Sequence, residues 1–215
     1  MRNEQCWYKE VCQVECEPNC LRYNEMKYLM DNSDIPPNRQ MPSKLSPEKI
    51  DEASFKQLND IKLNIVDFVN SGKNLYIWGK TTGNGKTSWA LKMMLRYFND
   101  IWPGNGFRVR GKFVYVPAFL TQLKNFNNPL SEDYKNDIYN CDLLVLDDIA
   151  GVGISQYDLS QLLSYVDYRN FHGRSTIYTG NLGFDKMENV LGARLTSRIW
   201  ANNTTIIELK GSDRR

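Results

Sequence analysis

The chain has 215 residues, enough for one domain with an appendage or two small ones, and enough apolar residues for a substantial core. No stretch approaches the roughly 18 uninterrupted apolar residues of a membrane span, and the N-terminus lacks the basic-then-apolar layout of a secretory signal. These features point to a cytoplasmic protein. With 27 basic against 25 acidic residues, the net charge of +2 excludes nucleic-acid binding driven by bulk charge. Such binding would need a local patch or several subunits acting together.

Residues 1–30 are cysteine-rich and then helix-like, with Leu21, Met26, Leu29 and Met30 as apolar points. Cys6, Cys12, Cys16 and Cys20 fall in the first 20 residues, and Cys141 stands alone. In a reducing compartment such a cluster suits a metal better than disulfides, and four thiolates suit tetrahedral Zn²⁺. The intervening spacings of five, three and three depart from the usual paired pattern. Steps of four from Cys12 to Cys20 would line one helix face, but Pro18 opposes an unbroken helix there. Structural zinc is the expectation, with free or redox-regulated thiols and an iron–sulfur cluster as alternatives. Asp31 to Pro47 holds four prolines with several Asn and Ser residues and reads as an extended linker. The chain thus divides into a cysteine-rich module (1–30), a linker (31–47) and a larger domain (48–215).

Lys49 to Asn70 has apolar residues near helical spacing, stopped by Gly72. Leu75–Trp78 is a short apolar strand. It feeds a glycine-rich turn, after which Lys86-Thr87 opens a helix to Phe98. Phe113–Val116 reads as a strand and Pro117–Phe126 as a helix with a first-turn proline. A polar stretch to Asn140 holds a loop and a short helix. Leu143–Leu146 is a buried strand ending in Asp147-Asp148. Ser155–Phe171 is a helix with Ser155 as N-cap. Ser175–Thr179 is a strand ending at Gly180-Asn181, Leu191–Trp200 is a helix, and Thr204–Leu209 is a last strand. Strands alternating with helices imply an α/β fold, a parallel sheet covered on both faces.

The stretch from Gly79 to Thr87 has the grammar of a phosphate-binding loop. Glycines let successive N–H groups turn toward an anion, and the following helix presents its positive end. Lys86 would reach the β- and γ-phosphates, and the Thr87 hydroxyl would ligate Mg²⁺. Gly83, Asn84, Gly85 and Ser88 complete the loop. The spacing departs from the strict pattern: Lys80 stands where the first glycine belongs, and Gly79 lies one residue earlier. An ordinary glycine-rich turn is the alternative. Asp147 would help hold Mg²⁺ and Asp148 would polarise the attacking water, since ligands gather at the carboxyl ends of parallel strands; two solvated acids capping a strand are the alternative. Asn181 would position that water if its strand lies beside the Asp147 strand, and is otherwise a turn asparagine. Arg194 and Arg198 lie four apart on one helix face. Either could neutralise charge in phosphoryl transfer, or both form a solvated basic face.

Taken together, these four elements and a terminal Gly-x-x-x-Arg resemble the DnaC/DnaI-type helicase-loader ATPases of the AAA+ class, most nearly their phage and prophage versions. The resemblance covers roughly residues 45–215. It implies an AAA+ core in which Lys86, Thr87, Asp147 and Asp148 are the Walker A and B residues and Asn181 is sensor 1. Arg198 is then the arginine finger acting on the adjacent subunit, with Arg194 as alternative, and Arg215 or Arg214 is sensor 2. It implies ATP/ADP and Mg²⁺ as ligands and self-association through the ATP site. The implied partners are a hexameric replicative helicase, gripped by the N-terminal module, and single-stranded DNA. The bacterial or phage-infected cytoplasm is the implied location. DNA contacts are expected among Phe119 to Tyr139, with Lys124, Phe126, Tyr134 and Lys135. A transposition helper ATPase of the IstB type shares these motifs. A nucleotide-holding adaptor without turnover is a third reading, kept open by Lys80.

Overall fold

Five short apolar segments become strands, all pairing in parallel. In this computed structural model, which describes residues 6–213 apart from 9–11, 14–15, 18, 42–43, 104–105, 126, 128 and 152, the chain begins with helix α1 (Leu21–Asp31). Then follow α2 (Glu52–Leu63), α3 (Ile65–Asn70), β1 (Asn74–Trp78), α4 (Lys86–Ile101), β2 (Gly111–Tyr115), α5 (Val116–Leu123) and α6 (Glu132–Asn140). The chain continues with β3 (Leu143–Asp147), α7 (Gln156–Phe171), β4 (Ser175–Gly180), α8 (Phe184–Ile199) and β5 (Thr204–Glu208). The strand order is β2-β3-β4-β1-β5. The inner strands are buried along nearly their whole length, as a parallel sheet covered on both faces requires. Alternate strand residues feed two apolar layers. Leu75, Ile77, Val145 and Ile177 meet α4 and the helices before it, while Tyr76, Leu144, Leu146 and Tyr178 pack on the opposite side with residues of α5 to α8.

The site depends on this order. The chain leaves β1, crosses to the far edge for β2, and returns through β3 to β4, which slots between β3 and β1. All strands run the same way, so the turn after β1, the acids ending β3 and the residues after β4 open on one side of the sheet.

Three expectations change. The helix expected over 49–70 is split at Asn64, whose side-chain amide donates to the Asp60 carbonyl (2.9 Å) and ends α2. The Asn64 carbonyl then accepts from the Phe68 N–H and starts α3. The helix expected from Leu191 begins at Phe184 and is interrupted at Gly192, where φ of +75° and ψ of 158° leave the helical region; a side chain at this φ would be strained. Residues expected to be an extended linker are partly docked. Ser33 and Ile35 are buried, and the Phe113 N–H donates to the Ser33 carbonyl at 2.7 Å, covering the β2 edge of the sheet. Met26, Leu29 and Met30 of α1 join the apolar layer over α4.

The zinc expectation finds no support among the described residues. Among the described residues no group of three or more His, Cys, Asp or Glu is placed to hold a metal. The cysteines sit in different settings: Cys6 is buried in the apolar layer and accepts from the Tyr8 N–H (3.4 Å), whereas Cys16 is exposed. The first helix starts at Leu21, so no helix lines Cys12, Cys16 and Cys20 along one face.

Candidate functional site

The loop after β1 is shaped by three glycines. A Cβ on Gly79 would lie 2.1 Å from the Leu209 carbonyl oxygen and 2.7 Å from Asn84 Nδ2, so only glycine admits this close approach of the chain after β5. Gly83 and Gly85 have positive φ (71° and 101°), which turns the loop into the first residue of α4. Lys86 Nζ donates to the carbonyls of Gly79 (3.0 Å) and Thr81 (2.7 Å) and to Asn84 Oδ1 (2.9 Å). Asn84, fully buried, turns its Nδ2 to the Leu209 carbonyl (2.9 Å). Lys80 is exposed, while Thr82 to Ser88 line the cavity.

The cavity, about 560 Å³, is bounded by this loop, by Asp147 and Asp148, and by Thr179 to Asn181. Thr87 Oγ1 donates to Asp147 Oδ1 at 2.8 Å, and Thr179 Oγ1 donates to the same oxygen at 2.6 Å. Asp147 is thereby fixed from two elements. Asp148 takes a left-handed backbone (φ 57°), with its N–H donating to Thr179 Oγ1 (3.0 Å). Burial, followed by the neighbouring Asp147, pushes the Asp148 carboxyl above the usual aspartate range, and Lys86 opposes this. Asn181 Nδ2 reaches Asp148 Oδ1 at 3.5 Å. β4 does lie beside β3, with Leu146 opposite Tyr178. A hydroxyl and a carboxylate side by side are hard oxygen donors that suit Mg²⁺ bound mostly through water and phosphate. The residues thus fit the ion: Thr87 and Asp147 would hold it, and it would supply charge neutralisation between the β- and γ-phosphates.

Other expected residues lie elsewhere. Arg194 and Arg198 do not line this cavity. Both face Asp167 of α7, Arg194 at 3.6 Å and Arg198 at 2.5 Å, and the guanidinium of Arg198 is half exposed. Arg214 and Arg215 lie outside the described residues, as does Phe126. Of the expected DNA contacts, Lys124 pairs with the buried Asp158 (2.7 Å), Lys135 pairs with Glu132 (2.7 Å), and Lys112 lies over the Tyr134 ring (4.7 Å).

Several site residues carry no motif. Thr179 anchors both acids. Gly151 closes the turn after Asp148, where a Cβ would fall 2.0 Å from Asp148 Oδ2. Asp51, fully buried, accepts the backbone N–H groups of Lys210 (2.7 Å) and Gly211 (2.9 Å). It fixes the strand exit that Gly79 and Asn84 touch. The positions of the glycines and of a hydroxyl one residue before Gly180 are visible in the sequence. Asp51 gives no local signal, because its partners lie about 160 residues away.

A parallel α/β sheet with a glycine loop on β1 and acids ending β3 defines the class: a P-loop nucleotide-binding core. The model of the IstB-like ATP binding protein family matches residues 24–211, and the chain belongs to that family. It is 26% identical over 163 residues to the replicative helicase loader DnaC of Buchnera aphidicola subsp. Acyrthosiphon pisum, covering 73% of this chain and 59% of that protein's length. Its fold matches the crystal structure of the DnaC helicase loader (TM-score 0.64, 20% identity, 77% of this chain and 94% of that one). It also matches the crystal structure of DnaI (TM-score 0.65, 20% identity, 85% and 95%). No helix among the described residues is long and apolar enough to cross a membrane.

Proposed function

We propose that this protein is an ATP-dependent loader of a hexameric replicative helicase, acting in the cytoplasm of a bacterial or phage-infected cell. The observation that carries the ATPase part is the convergence of Lys86, the Thr87–Asp147 pair, Asp148 and Asn181 on one cavity. The sequence relationship to helicase loaders supports the choice of partner. On ATP binding, Lys86 exchanges its loop carbonyls for phosphate oxygens, and the N–H groups around Gly83 to Thr87 cradle the phosphates. Asp148 polarises the attacking water and Asn181 orients it. Arg198, held away from the site of its own subunit by Asp167, completes the site of a neighbour. The N-terminal cysteine-bearing region (1–30) makes the helicase contact, and single-stranded DNA binds within the assembly.

The family match to IstB-like proteins favours a second reading, a transposition helper that acts on DNA target selection. A loading assay separates the two. With ATP, the wild type should raise helicase unwinding of a substrate with a covered single strand at least severalfold, and Lys86→Ala should not. Stimulation of strand transfer on duplex DNA, with no effect on the helicase, would favour the second reading.

A further inference from the structure

Residues 33–40 precede the glycine-loop core in sequence, yet they form part of the cavity wall. The segment is held against β2 by the Phe113 N–H to the Ser33 carbonyl (2.7 Å) and by Lys112 Nζ to the Asp34 carboxylate (2.8 Å). Ile35 is buried below it. The next residues form a tight turn, closed by the Arg39 N–H to the Pro36 carbonyl (2.7 Å) and by Gln40 Nε2 to the Ile35 carbonyl (3.3 Å). Pro36 and Arg39 thereby share a cavity with Lys86, Asp147, Asp148 and Asn181. In the sheet, β2 lies beyond β3. The segment therefore meets the cavity on the side where the two acids end β3, away from β1 and β5.

Arg39 is exposed and makes no ion pair or side-chain hydrogen bond among the described residues. Other arginines of this chain near carboxylates are engaged: Arg96 with Asp100, Arg110 and Arg174 with Asp142, and Arg198 with Asp167. A guanidinium lining a cavity large enough for a nucleotide pairs readily with phosphate oxygens, two at a time. We propose that Arg39 is a further nucleotide-contacting residue, acting within its own subunit, that binds the terminal phosphate of a nucleoside triphosphate. This rests on the reading that the cavity takes ATP. It adds a cation that is supplied by the segment leading out of α1. It also adds to the site a contact that ATP makes and ADP does not. Triphosphate on Arg39 would hold the 33–40 turn in place, so nucleotide state would be felt by the N-terminal region.

The test uses the full-length chain with Mg²⁺ and fluorescent ATP and ADP analogues, on wild type, Arg39→Ala, Arg39→Lys and Lys86→Ala. The Arg39 side chain is exposed, so Arg39→Ala should melt, nucleotide-free, close to wild type. Lys86→Ala should lose both nucleotides. Arg39→Ala should weaken the ATP analogue about tenfold or more and the ADP analogue less than about threefold, with Arg39→Lys between wild type and Arg39→Ala. Wild-type affinities in Arg39→Ala, with Lys86→Ala defective, would overturn the Arg39 proposal and leave the nucleotide site standing. Equal weakening of ATP and ADP would overturn the assignment to the terminal phosphate. Undiminished binding by Lys86→Ala would instead overturn the nucleotide site itself.

Discussion

Asp148 combines a left-handed backbone, a hydrogen bond from its N–H to Thr179, and a carboxyl raised by burial and by Asp147. In its proposed role Asp148 polarises water as the carboxylate, so turnover should fall as pH drops through the raised value. The acid limb of kcat should therefore lie above the pH of about 4 expected of an ordinary aspartate. The stability sign is opposite: a raised folded pKa means the native state binds this proton more readily, and Asp148's contribution falls as pH rises through that window. Asp148→Asn should cut kcat by about 10²-fold or more, leave ATP affinity within a few fold, and melt no lower than wild type at neutral pH. Steady-state kinetics, nucleotide titration and calorimetry check the three. Gly79→Ala puts a methyl group against the Leu209 carbonyl and should cost about 3 kcal/mol in urea unfolding. Residues of this kind were legible unevenly. Lys86, Asp147 and Asp148 follow from strand endings and glycine spacing. Thr179 and Arg39 do not, because their roles arise from contacts between segments far apart in the chain, and Gly151 does not because its closeness to Asp148 depends on the left-handed turn at that residue.

Among the elements, α7 begins as its sequence dictates. Ser155 accepts from the Asp158 N–H, and the Asp158 carboxylate accepts from the Ser155 N–H (2.9 Å), a reciprocal cap. The Lys124 ammonium and this cap hold the buried Asp158 carboxyl below the usual range, against the effect of burial. The exit from β5 depends instead on Asp51 just before α2. Replacing this buried carboxylate strips the Lys210 and Gly211 N–H groups of their acceptor. Asp51→Ala should destabilise the fold by about 2–4 kcal/mol in chemical unfolding, whereas Asp51→Asn, keeping one acceptor oxygen, should cost less. Alternation of apolar strands with periodic helices was enough to read the sheet. The break at Asn64 and the kink at Gly192 were not, since each continues an apparently helical pattern. Pro18 already opposed a helix through the cysteine steps, and among the described residues the first helix starts after Cys20, with Cys6 taken into the core.

At the scale of the whole molecule, the ATP cavity lies at the strand ends while Arg194 and Arg198 sit on the outer face of α8, paired to α7. An ATPase that assembles head to tail would use both surfaces at once, and nucleotide and assembly would then be thermodynamically linked. Lys86→Ala and Arg198→Ala should each be inactive alone. Mixed, they should exceed the sum of their separate rates under the proposed trans arrangement, in which one subunit supplies the loop and its neighbour the arginine; a merely additive rate would count against it. The order of motifs was legible, since each marks the end of an element. The docking of α1 and residues 33–40 onto the core was hidden by a proline-rich composition that elsewhere marks free linkers. The central claim is that this ATPase serves a replicative helicase. Its most direct measurement is capture of a purified hexameric replicative helicase by the immobilised full-length protein, with and without ATP. The account predicts a stable complex whose yield changes with nucleotide; no retention of any replicative helicase in either condition would contradict it.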